Sequence, residues 1–223
     1  MYFSMIRLRR DIAPRDMAAM TKGDGYQIHK LVWNLFADHP DRKRDFIYRH
    51  EPVNGWPTFY TVSQREPQDA SGMWEVTPKE YRPNLRTGQR LGFTLCANPI
   101  RSKRDENKRQ HRHDVIMEAK LDIKKRDEDI NMPDIVQEQG AHWLLDRAAS
   151  HGFSMSPEGI RADGYRQHRI FKGKGNQLIT FSTVDFNGIL TVIDPAVFVD
   201  KCLFDGIGPA KGFGCGLMLV RRV

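Results

Sequence analysis

A histidine that stands off the apolar face of a helix, with a tyrosine one turn before it, is the first pairing in this chain that could do chemistry. Ile28, Leu31, Val32, Leu35 and Phe36 recur at i, i+3, i+4, i+7 and i+8, which predicts an amphipathic helix. Asp24 and Gln27 are spaced as a capping box, so the helix should begin near Gly25. At about 100° per residue, Tyr26, His29 and Trp33 fall together on the flank away from that stripe. A histidine satisfied in the core would sit on the stripe. An imidazole exchanges protons near neutrality, its reference pKa being about 6.5, so it suits general acid or base work. A tyrosine three residues earlier can reach the same ligand. The spacing alone fits an incidental surface pair as well.

The second stretch is Gly206-Ile207-Gly208-Pro209-Ala210-Lys211-Gly212-Phe213-Gly214-Cys215-Gly216, with Lys211 in the midst of the glycines. Backbone N–H groups free of Cβ interference, beside an ammonium, can seat phosphate oxygens. The competing reading is a helix C-cap followed by a tight turn. A P-loop needs Ser or Thr after its lysine, and Gly212 follows Lys211. A dinucleotide fingerprint needs a strand before the glycines and a helix after them. Here the order is reversed: Asp194-Pro195 opens a short helix, and Leu217 to Val220 reads as a strand. Such a loop suits a polynucleotide backbone better than a mononucleotide. Lys211, Gly208, Gly212 and Gly214 are its candidate contacts.

Basic residues cluster twice more. Arg161, Arg166, His168, Arg169, Lys172 and Lys174 are interleaved with Tyr165 and Phe171. Such a strand or hairpin can lie along an RNA backbone and stack on bases, or it can be an edge strand guarded by charge. Arg101 to His113 contains no apolar residue and should be a mobile loop, either a phosphate-binding arm or a solvated linker. His111 and His113 have no acidic or thiol partners at ligand spacing, and no metal or cofactor is expected. His142 and His151 are expected at the surface.

Lys and Arg number 35 against 28 Asp and Glu, a net charge of +7. That points to an anionic partner, most commonly nucleic acid, or to an ordinary basic surface. Cys96, Cys202 and Cys215 are scattered without C-x-x-C spacing, against both a disulfide framework and a zinc site. No apolar run approaches the ~18 residues of a membrane span. Near the N-terminus the charge follows the apolar residues, the wrong order for a secretory signal, so a cytoplasmic protein is expected.

The elements that must position these groups read in order. Met1 to Arg10 alternates as a strand, with Tyr2, Ser4, Ile6 and Leu8 on one face. After the Tyr26/His29 helix, Phe46–Arg49 and Thr58–Ser63 read as strands around a Gly55-Trp56-Pro57 turn. Arg65 to Arg86, with Pro67, Pro78 and Pro83, reads as irregular or at most a short helix. Arg90 to Ile100 is a strand. Asn131-Met132-Pro133-Asp134 starts a helix that Gly152 stops. Phe153 to Asp194 is β-rich, with Asn187-Gly188 as a hairpin turn or bulge. The expected fold is α+β: two tandem ferredoxin-like (RRM-like) modules, each an antiparallel sheet with helices on one face. The expected divisions are residues 1–100, a basic linker over 101–133, and 134–223.

The Tyr26-x-x-His29 segment with its trailing Trp33-x-Leu35-Phe36, the Ala97-Asn98-Pro99 strand end and the glycine loop resemble the CasE family. These are the CRISPR repeat-processing endoribonucleases of type I-E Cascade, within the repeat-associated RNA-processing proteins. The resemblance covers most of the chain. It implies metal-independent cleavage at the 3′ base of a repeat stem, through 2′-OH attack to a 2′,3′-cyclic phosphate and a 5′-OH. It further implies His29 as general acid or base, Tyr26 as its partner on the substrate, and a basic second-module hairpin on the RNA stem. The partners implied are CRISPR repeat stem-loop RNA and the other Cascade subunits, with the processed RNA retained. The alternative is a non-catalytic RNA-binding scaffold of the same fold, in which the histidine is incidental.

Overall fold

The first strand, β1 (Tyr2–Leu8), buries Ser4, Ile6 and Leu8 as its alternation requires. It is followed by α1 (Gly25–Asn34), β2 (Phe46–Val53), β3 (Trp56–Ser63) and β4 (Trp74–Glu80). The computed structural model describes residues 1–12, 25–37, 43–172 and 177–223, without the side chains of Tyr26 and Lys172. The capping residue Asp24 lies outside them. The four strands pair antiparallel in the order β2-β3-β1-β4, the ferredoxin-like order.

Two expectations change here. β2 and β3 run further than Arg49 and Thr58, and the turn between them is Asn54-Gly55, not Gly55-Trp56-Pro57. Both turn residues have positive φ, 53° and 76°, as a tight two-residue hairpin demands. The proline-containing stretch after Arg65 also holds a strand, β4. It is an edge strand, where Pro78 is tolerated because one side of the strand needs no ladder partner.

The second sheet contains β5 (Arg90–Ala97), β8 (Phe153–Ser154), β9 (Ile160–Lys172), β10 (Gln177–Val192) and β11 (Met218–Arg222). Its order is β11-β5-β10, with β8 and β9 along the far side of β10. With β9 counted as the second strand, this is the same 4-1-3-2 order as the first sheet. The strand read at Arg90–Ile100 thus pairs with β10 and β11 of the second sheet. Strand identity was legible from local alternation; its partner was not.

The basic stretch from Arg101 is likewise not a loop. β6 (Ile100–Arg104) and β7 (Gln110–Asp114) form a hairpin whose turn is tied by Asp105 to the amide of Arg109 at 2.8 Å. Asp114 then caps α2 (Val115–Lys125), accepting from the amides of Ile116 and Met117. The expected 101–133 linker thus contains a helix, whose sequence signal is faint because only Val115 and Ile116 are buried. α3 (Met132–Ala148) begins and stops as its Pro133 and Gly152 signals require, Gly152 having a left-handed φ of 77°. Asn187-Gly188 lies within continuous β10, and the register shift falls at Thr183/Asp185 instead. α4 (Pro195–Val197), capped by Asp194, continues as a π-helical segment over Phe198–Phe204.

Each sheet has its own core. Ile6, Leu8, Phe46, Tyr48, Phe59 and Trp74 meet Val32, Leu35 and Phe36 at the α1 face. The second core joins α2 and α3 to β5 and β10 around Trp143, Leu144 and Phe186. The opposite face of the first sheet packs on the second module through Ile47, Val62 and Leu217. Each fully buried aliphatic side chain contributes about 1.5–3 kcal/mol, so this seam holds the two sheets as one body. It also explains why Phe46, Ile47 and Tyr48 are all buried: alternate residues serve alternate cores.

Candidate functional site

The apolar stripe of α1 seats Val32 in the first core and presents His29 from the helix flank. There the His29 ring lies between Trp33 at 5.9 Å and Phe213 of the glycine loop at 5.6 Å. Its Nδ1 is 2.6 Å from the carbonyl oxygen of Gly212. A carbonyl only accepts, so Nδ1 carries the hydrogen, and the lone pair of the neutral ring is on Nε2. The buried Tyr48 hydroxyl donates to the same carbonyl at 3.0 Å, using its second lone pair. Burial raises the Tyr48 pKa, which keeps it a phenol and a donor.

Gly212 makes this approach possible. A Cβ there would lie 2.9 Å from Arg44 Nη1 and 3.6 Å from His29 Cε1, so the missing side chain lets both close over it. Gly208 has a different reason: its φ is 80° and a Cβ would meet the Trp143 ring at 3.1 Å. It anchors the loop to the second core. Gly214, at φ 86°, lets the loop turn against Tyr48.

Beyond Phe213 the rings continue. Phe213 stacks on Phe181 of β10 at 5.1 Å, and Phe181 on His168 of β9 at 4.7 Å. Trp33, His29, Phe213, Phe181 and His168 form one aromatic row from α1 across the glycine loop to the β9–β10 ribbon. The cations flank it. Arg44 is exposed at the surface, and the partial desolvation it does suffer lowers its pKa. Lys211 shares a hollow of about 420 Å³ with Arg44, Asp45, Asp200 and Asp205. Burial lowers the Lys211 pKa, Asp205 opposes that shift and Arg44 adds to it. Two cations beside one hollow can meet an anion there, in competition with the three carboxylates that also line it.

The structure brings His29, Gly212, Gly214 and Lys211 into one neighbourhood. Arg166 and Arg169 approach it from the ribbon, Arg166 paired with Asp185 at 2.6 Å. Arg161 lies further along β9, opposite Asn187, and pairs with Asp163 at 2.6 Å. The Tyr26 and Lys172 side chains and the whole of Lys174 lie outside the described residues. Arg44, Tyr48, Phe181 and Phe213 were not singled out from sequence. Phe213 had a signal, being the one aromatic among the glycines; the others become neighbours only on folding. Among the described residues no cluster of His, Cys, Asp or Glu could hold a metal ion, and no helix is long and apolar enough to cross a membrane.

Two ferredoxin-like sheets in tandem, joined by a histidine hydrogen-bonded to a glycine loop on the opposite sheet, define a class of protein in which the site is built at the seam. A family model described as CRISPR associated protein matches residues 1–222, and the chain belongs to that family. It is 31% identical over 204 residues to the CRISPR system Cascade subunit CasE of Escherichia coli, covering 87% of this chain and 90% of that protein. It is 27% identical over 224 residues to the CRISPR-associated endoribonuclease Cse3 of Thermus thermophilus, covering 93% and 92%. The crystal structure of the CRISPR-associated protein Cas6e from Escherichia coli superposes with a TM-score of 0.66 at 26% identity, over the whole of both chains.

Proposed function

We propose that this chain is a CRISPR RNA-processing endoribonuclease that binds repeat stem-loop RNA, cuts it at the 3′ base of the stem and keeps the product as a Cascade subunit in the cytoplasm. The relatives' names, CasE and Cse3 endoribonuclease, support the class. The observation that carries the mechanism is the 2.6 Å contact between His29 Nδ1 and the Gly212 carbonyl. It fixes both the ring's orientation and its tautomer beside the loop expected to hold the phosphate.

The RNA brings its own nucleophile, the 2′-OH. Cleavage needs that proton removed, the phosphorane's charge held and the 5′-oxygen protonated as it leaves. His29, with Nδ1 committed to Gly212, exchanges the proton at Nε2. Arg44, and Lys211 at the neighbouring hollow, hold negative charge as it develops. Tyr26, one turn before His29, orients the 2′-OH or donates to a phosphate oxygen. Arg166 and Arg169 on the ribbon, with the β6–β7 hairpin, meet the stem's phosphates. A-form stems hide their base edges in a deep, narrow major groove, so the duplex is read largely by shape.

Cleavage of end-labelled cognate repeat RNA in EDTA, wild type beside His29→Ala, tests this. Metal-free cutting lost in the variant, with binding retained, is the expected result. Tight binding with no cutting by either protein would leave a scaffold subunit and remove His29 from the chemistry.

A further inference from the structure

Asn98, immediately after β5, is a polar residue that the fold does not satisfy. It is 5% exposed, and among the described residues its carboxamide oxygen has no hydrogen-bond partner. Buried amides are almost always paired, so an orphan calls for an explanation. Asn98 lines a groove of about 620 Å³ between the β6–β7 hairpin, the β9–β10 ribbon and the glycine loop. Ser182 lines the same groove, and among the described residues its buried hydroxyl meets no partner at hydrogen-bond geometry. Tyr165 is near enough to Ser182 to be influenced by it, without meeting hydrogen-bond geometry. Two orphaned polar atoms thus share one groove.

The remaining lining has a consistent chemistry. Phe181 and Phe213 supply aromatic surface, His168 stacks behind Phe181, and Arg112 and Arg169 supply cations. The one carboxylate, Asp114, is already engaged: it caps α2 and accepts from the Tyr165 hydroxyl at 2.8 Å. A ligand that fits is flat and aromatic, carries hydrogen-bond donors on one edge and is attached to an anion. Phe213 also touches His29, so the groove begins where the site described above ends.

We propose that this groove takes a single unpaired nucleobase of the RNA strand beside the scissile phosphate. With the Asn98 carboxamide turned toward the groove, an exocyclic amine or ring N–H donates to its Oδ1, the ring lies against the Phe181/Phe213 surface, and Arg112 and Arg169 meet adjacent phosphates. A trapped water would satisfy Asn98 but would leave the aromatic and cationic lining without a role. The inference rests on the RNA-processing reading and names a subsite within it. Asn98 is then a binding residue that gains its partner only with the substrate.

The test is a double-mutant cycle between protein and RNA. Cognate repeat RNAs, made uncleavable by a 2′-deoxy nucleotide at the cut, each carry one abasic unpaired nucleotide, and affinities are read by anisotropy. One abasic position is expected to weaken wild-type binding by more than about tenfold, because it removes the ring's aromatic contact as well as one hydrogen bond. Asn98→Ala should weaken binding of intact RNA by up to about tenfold, the size of the hydrogen bond alone, and the two changes together should be no worse than the abasic change alone. Asn98→Ala should also keep or raise the melting temperature, because it removes an unpaired acceptor. Ser182→Ala gives an independent second cycle if Asn98→Ala does not fold. Effects that simply multiply at every abasic position overturn the proposal, as does an Asn98→Ala protein that melts lower yet binds normally. A wild type that binds no repeat RNA would overturn the parent reading and this one together.

Discussion

The two sheets share one strand order and differ in how far their strands run. In the first, no strand exceeds 8 residues, the hairpin turn is tight and one helix covers one face. In the second, β9 and β10 have 13 and 16 residues, while β5 pairs with β10 only over Val184–Thr191. The remainder of the ribbon runs past the sheet, carrying His168, Arg169 and Phe181 to the glycine loop. The same scaffold therefore does two jobs. The compact copy holds His29, the proposed proton-transfer group, and the extended copy supplies the surface around it. The site belongs to neither alone, since His29 is oriented by a carbonyl from the other module.

That division can be broken from either side. Removing the group held by the first module should have the largest effect: His29→Ala is expected to lower single-turnover cleavage by about 10²–10⁴-fold with affinity nearly unchanged. An affinity loss as large as the rate loss would make His29 a binding residue instead. Arg44→Ala should lower the same rate constant about 10²–10³-fold, as loss of a preorganised charge-stabilising donor does. Arg44→Lys should recover part of it; full activity in Arg44→Ala would place the charge elsewhere.

A smaller effect probes the seam. Tyr48→Phe removes one of the two donors to the Gly212 carbonyl while His29 remains. It should cost about 1 kcal/mol in urea unfolding and only a few-fold in rate. A collapse of cleavage comparable to His29→Ala would mean that Tyr48, and not His29, sets the loop's position.

The smallest prediction concerns pH. Burial, the leading cause in each case, lowers the pKa of the half-buried His151 and His168. The unfolded chain titrates its histidines near ~6.5 and so binds more protons than the folded chain just below that pH. These residues oppose no folding above about pH 6.5, and stability is lost as pH falls from there through their lowered folded values. The melting temperature should decline between about pH 7 and pH 5. A flat or rising profile over that window would show that these rings are solvated in the protein.

Much of the scaffold was legible because its signals are local. The alternation of Tyr2–Leu8, the apolar stripe of α1 and the Pro133 and Gly152 boundaries of α3 each depend on a few neighbouring residues. The misses were elements whose local signal is weak or misleading: β4 because Pro78 is acceptable only at an edge, α2 because its buried stripe is two residues long, and the β6–β7 hairpin because charge alone resembles a loop. Hairpin pairing satisfies its backbone while its side chains stay in solvent.

By itself the sequence determined that His29 stands off a helix stripe, that a lysine sits among glycines, and that basic residues alternate with aromatics along a β segment. Only the tertiary structure decided what meets what. His29 and Gly212 are 183 residues apart, and no spacing rule links them. Arg44, Tyr48 and Phe181 carry no local mark of function, because their significance lies in neighbours contributed by other strands. Periodicity reports which face of an element is buried. The partner across that face is chosen by the packing of whole sheets, through the Ile47, Val62 and Leu217 seam that brings the two modules together.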